Sequence, residues 1–169
     1  MDDLIYNQHH IPRDQWRYGF RSSAATGCGW IAVHNALRLM RYRVNIDELI
    51  CWFERQLPLI HGNAGTAILA PALRMHRWGF PVKIVVSPKR FDESAKNADT
   101  CILFYRWRKK WKLGAHFVAL HHMPKGFIGY NTFKTSAGPD HYGPSLTAFL
   151  KKQHYFGAVL ICITDKRRI

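Results

Sequence analysis

The chain has 169 residues, 47% of them apolar, and a net charge of +14 from 25 Lys and Arg against 11 Asp and Glu. That length suits one domain with its own core, and that apolar fraction excludes a disordered chain. No apolar run reaches the roughly 18 residues that a membrane span needs, and the positive excess points to a polyanionic partner: nucleic acid, an anionic envelope polymer or an acidic substrate.

Residues 1–25 are polar, aromatic and irregular, and read as an N-terminal arm packed on the body. Their start, Met1-Asp2-Asp3-Leu4, is acidic and does not read as a signal peptide. Thr26 is the predicted N-cap of a helix over 28–42. Trp30, Val33, Leu37 and Met40 share one face of it, and Ile31, Ala32, Ala36 and Leu39 make most of the remainder apolar, so this helix is expected to be buried. A second helix opens at Asn45-Ile46-Asp47-Glu48, presents Ile46, Leu49, Ile50, Phe53 and Leu57, and stops at Pro58. A loop follows around His61. A third helix over 66–78, with Pro71 moving its start toward Ala70, ends at Gly79. Strands are predicted at 82–86, 100–108, 115–122, 127–133 and 158–164, with helices at 88–96 and 145–153. Helices first and strands afterwards make an α+β domain spanning 1–169, with a helical half (26–80) packed on a meander-like antiparallel sheet half (81–169). A cleft between the halves would hold the tip of the first helix.

That tip carries Cys28 between Gly27 and Gly29. Free N–H groups and the helix dipole favour a thiolate there, and the flanking glycines leave room for a carbonyl to approach. The four cysteines form no CxxC pair, which argues against a zinc knuckle and a disulfide framework and fits a reducing cytoplasm. Cys51, Cys101 and Cys162 lie in apolar runs and read as core. No cofactor or metal is implied.

A nucleophilic cysteine needs a base, and ten histidines compete. His34 points about 240° around the helix axis from Cys28 and reads as packed or surface; Asn35 lies about 10 Å further along and reads as a buried hydrogen-bonding residue. His116 opens the strand Gly114-Ala115-His116-Phe117-Val118, and Asn131 ends the next one. Any even-length hairpin loop puts their side chains on one face. A two-residue loop at Met123-Pro124 pairs them directly. A four-residue loop over 123–126 sets Asn131 opposite Val118, diagonal to His116. In both registers the Asn131 amide oxygen could accept from the imidazole.

Gly27-Cys28-Gly29 opening a helix, Gly114-Ala115-His116-Phe117-Val118 and Gly129-Tyr130-Asn131 together resemble a papain-like cysteine peptidase, in the branch of the bacteriocin-processing (C39-like) peptidases. The chain order of Cys, His and Asn matches. The resemblance implies the papain-like fold and a glutamine that completes the oxyanion hole, with Gln8 in Tyr6-Asn7-Gln8 as the candidate and Gln15 in reserve. Departures are Ser22 at papain's own spacing for that glutamine, Trp30 where the family commonly has proline, which would crowd or line the cleft, and Asn131 where the processing branch has Asp.

The expected function is a thiol-dependent hydrolase, a cysteine peptidase or amidase acting on a peptide or amide. His116 takes the Cys28 proton to give a thiolate–imidazolium pair, Asn131 fixes the ring, and the Cys28 amide with Gln8 holds the oxyanion. The alternatives are a non-catalytic binding module on the same fold for a polyanionic partner, and a Cys-His acyltransferase for a small metabolite with Trp30, Tyr105, Trp107 and Trp111 lining its pocket.

Overall fold

The computed structural model describes residues 3–55 and 65–168. The expected helix end at Pro58 and the loop around His61 lie outside the described residues. A single 3-10 turn, Gln8–His10, precedes a two-stranded ribbon of β1 (Arg17–Tyr18) and β2 (Arg21–Ser22). Then come α1 (Ser23–Thr26), α2 (Cys28–Leu39), α3 (Ile46–Arg55) and α4 (Ala70–Arg77).

Every residue of α2 from Gly29 to Leu37 is buried, as its apolar circumference requires. Thr26 does not cap it. The short helix α1 runs almost straight into α2, and the junction is Gly27, whose N–H donates to Ser23 O at 2.9 Å. The α3 helix is capped by Asn45, whose Oδ1 accepts from the N–H of Asp47 at 2.9 Å and Glu48 at 3.2 Å. It buries Leu49, Ile50 and Phe53; Cys51, expected in the core, is exposed, because one step of about 100° from Ile50 carries it off the buried stripe. Pro71 occupies the first turn of α4, and Gly79, at φ 80°, closes its end.

The second half of the chain supplies β3 (Val82–Val85), α5 (Phe91–Lys96), β4 (Thr100–Lys109), β5 (Lys112–Met123), β6 (Gly126–Tyr130), β7 (Asp140–Gly143), α6 (Leu146–Lys152) and β8 (Tyr155–Ile163). They build a six-stranded antiparallel sheet in the order β3-β8-β4-β5-β6-β7. The run from β4 to β7 is a meander, but the last strand inserts between β3 and β4, so the whole sheet is not. Helices cover both faces. On one, Trp30, Val33, Phe53 and Met75 pack with Ile102, Phe104, Phe117 and Ile161. On the other, Phe91, Phe149 and Leu150 pack with Leu103, Val118, Leu120 and Leu160. Each such side chain contributes about 1.5–3 kcal/mol on burial.

The N-terminal arm ties the layers together. Asp3 O bonds His34 Nε2 at 2.6 Å, and the Asn35 amide grips the backbone of Ile5 from both sides, at 2.8 and 2.9 Å. Asn7 Nδ2 then donates to Lys134 O at 2.8 Å and Ser136 O at 3.2 Å on the sheet side.

Candidate active site

The β5 strand pairs with β4 from Lys112 to Leu120, but β6 covers only its far end, from Ala119 to Met123. Among the described residues no strand pairs with the near end, which carries His116, on that side, and α2 packs against β5. The backbone amides of Phe117, Cys28 and Gly29 lie close enough to the Cys28 sulfur to favour its ionised form, yet burial outweighs them and pushes the thiol up to about 11. The thiol therefore sits beside the amide of the residue that directly follows His116.

The flanking glycines do not open space for a substrate. A Cβ on Gly29 would run into Thr66 Oγ1, and one on Gly27 would meet Ser23 O at 2.6 Å and Trp30 Nε1 at 2.7 Å. They let the helix tip pack tightly against its own neighbours. Thr66, held by a 3.1 Å hydrogen bond to the Tyr18 hydroxyl, fills the position over Gly29. Trp30, expected at the cleft, is instead fully buried, and its indole donates to Ser23 Oγ at 3.0 Å.

His116 Nε2 lies 2.6 Å from the backbone oxygen of Asn131. A carbonyl only accepts, so Nε2 carries the hydrogen and Nδ1 is left as the basic nitrogen. The Asn131 amide, expected at the imidazole, goes elsewhere. Its Oδ1 accepts from Gln8 N at 2.7 Å, and its Nδ2 donates to Gln8 Oε1 at 3.1 Å. The cause is local. The hairpin register sets Tyr130 opposite Ala119, the diagonal one of the two expected, but the strand ends there. Asn131 turns left-handed at φ 61°, a region that Asn tolerates better than most residues, and the turn aims its carbonyl at the ring. Gln8, buried, also donates from Nε2 to Ala24 O at 3.1 Å. Gln8, Asn131 and His116 are thus brought together, whereas Gln15 is exposed in a turn closed by its N–H on Pro12 O.

Burial lowers the His116 pKa most; the Asn131 carbonyl opposes this and the nearby His9 adds to it. Burial therefore favours the neutral form of the imidazole and, separately, of the thiol. Two hollows meet here. One, of about 480 Å³, is lined by Gln8, Tyr105, Trp107, His116 and Asn131; the other, of about 510 Å³, by Cys28, Thr66, Phe104, Arg106 and Phe117. Ala25 and Ala115 border both. Trp111, grouped from sequence with Tyr105 and Trp107, is 99% exposed at the tip of the β4–β5 hairpin. The contributors that sequence reasoning missed, the Asn131 carbonyl and the Phe117 amide, are backbone groups with no signature in residue identity.

No protein-family model matches the sequence, and no curated protein matches it. Among solved structures, the chain is similar to the peptidase domain of Streptococcus ComA, a bifunctional ABC transporter involved in a quorum-sensing pathway, with a TM-score of 0.51 at 10% identity, over 82% of this chain and 91% of that one. The likeness is one of fold: a peptidase-domain architecture of mixed helices and antiparallel sheet. Among the described residues no helix is long and apolar enough to cross a membrane.

Proposed function

We propose that the protein is a thiol-dependent hydrolase on a papain-like fold, acting on a peptide or amide bond through Cys28, His116 and Asn131. Nδ1 of His116 takes the thiol proton as the sulfur attacks the carbonyl carbon, so the ion pair forms during reaction and not at rest. The oxyanion is held by the Cys28 N–H and by the second Nε2 hydrogen of Gln8, the first being used by Ala24 O. The C–N bond then breaks, the imidazolium protonates the leaving amine, and water releases the acid from the thioester. The observation that carries this reading is the 2.6 Å contact of His116 Nε2 with Asn131 O, which leaves Nδ1 free as a base one residue from the amide beside the thiol.

The test is a peptidyl acyloxymethyl ketone followed by mass spectrometry. An adduct on Cys28 that disappears in His116→Ala supports the reading. An adduct chiefly on exposed Cys51, or one indifferent to His116→Ala, overturns it. A second reading, a polyanion-binding module, is favoured by the hairpin tip, where Arg108, Lys109, Lys110 and Lys112 surround exposed Trp111. Salt-sensitive retention on heparin with no Cys28 adduct would select it.

A further inference from the structure

In acyl transfer the group that took the nucleophile's proton returns it to the leaving amine. On the proposed hydrolase reading, the hollow containing His116 therefore receives the leaving-group side of the substrate, and the hollow around Cys28 the acyl side. The His116 hollow has a marked charge character. Lys109 comes from the end of β4, Lys152 from the end of α6, and Lys134 from the loop after Asn131, and His9 and His154 also line the hollow. No carboxylate lines it among the described residues. None of the three lysines has an ion-pair partner among the described residues. The nearby Asp140 is engaged by Ser136, whose Oγ donates to Oδ2 at 2.6 Å. The loop carrying Lys134 is pinned by Asn7, whose Nδ2 donates to the Lys134 carbonyl at 2.8 Å. Lys134 also helps to depress the His9 pKa, after burial.

Three lysines from three separate elements line one concave surface that has no carboxylate among the described residues. The geometry points to a substrate whose leaving-group segment is acidic: a peptide with Asp or Glu directly after the scissile bond, its carboxylates meeting Lys109, Lys134 and Lys152. Trp107 and Phe133 offer apolar surface in the same hollow for the intervening stems.

The experiment measures binding, with turnover removed by Cys28→Ala in the full chain. Two fluorescein-labelled heptapeptides are compared by anisotropy, identical except for two Glu or two Gln after a central Gly. The Glu peptide is expected to bind about tenfold more tightly at low salt, the size that two partly exposed ion pairs supply. The gap should close as salt rises to about 0.5 M. The triple variant Lys109→Gln, Lys134→Gln, Lys152→Gln, with its fold checked by circular dichroism, should bind both peptides alike. Equal affinity of the two peptides for the Cys28→Ala protein, or discrimination that survives the triple variant, overturns the inference. Failure of the hydrolase reading shows separately, as an absence of turnover by the wild-type chain on either peptide.

Discussion

The imidazole of His116 is held by the main chain of Asn131, with Nε2 and the carbonyl oxygen 2.6 Å apart, while the Asn131 side chain is committed to Gln8. Asn131→Gly therefore keeps the carbonyl and the left-handed turn and loses only the amide. It should retain measurable peptide-cleaving activity, whereas His116→Ala should lose about 10²–10⁴-fold. Asn131→Ala, strained by about 1–2 kcal/mol at φ 61°, should fall between them. Steady-state kinetics decide, and an Asn131→Gly as inactive as His116→Ala would return the orienting role to the side chain.

The electrostatics set the pH dependence. Cys28 is pushed from its ordinary 9.0 to about 11, chiefly by burial, so its alkylation by iodoacetamide should keep rising through pH 9 and beyond. The folded state holds this proton more tightly than the unfolded one, so the associated stability is complete below pH 9 and drains away as pH climbs toward 11. His116 is lowered from 6.5, so the acid limb of kcat/KM should lie below 6.5. A labelling plateau near neutrality would show a preformed thiolate instead.

At Gly29 the constraint is steric. An added methyl collides with Thr66, and neither a buried helix nor a threonine hydrogen-bonded to Tyr18 gives way easily. Gly29→Ala should lower stability to urea by about 1–3 kcal/mol. The double variant with Thr66→Gly should recover part of the loss that Gly29→Ala causes in the Thr66 background; strict additivity in the double-mutant cycle would refute this contact.

Two tryptophans supply a contrast of burial. Trp30 has no exposed surface, and Trp30→Ala should cost about 3–5 kcal/mol. Trp111 is 99% exposed, and Trp111→Ala should change the same denaturation curve by less than about 0.5 kcal/mol. A Trp111 effect comparable to that of Trp30 would mean the hairpin tip is packed in solution.

The sequence made most elements readable because their periods were clean: the apolar circumference of α2, the stripe of α3, and the β-branched and aromatic runs of β4 and β8. Other features resisted for identifiable reasons. The β7 strand, Asp140–Gly143, sits between Pro139 and Pro144 and looks like a turn. Placement of β8 between β3 and β4 rests on pairings between strands far apart in sequence, and chain order does not encode that. Register arithmetic allows two pairings, and Tyr130 opposite Ala119 matches the four-residue loop, but it assumes an extended backbone at Asn131, where the strand has ended and one positive φ redirects the amide. Cys51 was misplaced because its run is apolar while its own position faces outward.

The link between Gln8 and Asn131 spans 123 positions in the chain. During synthesis the turn carrying Gln8 leaves the ribosome long before the residue that must receive it, and loop closure over that distance comes late in folding. A nascent chain thus carries its thiol past the exit tunnel without a seated imidazole. On the proposed reading, the site would be complete only once the sheet has emerged and the segment carrying Gln8 has found it.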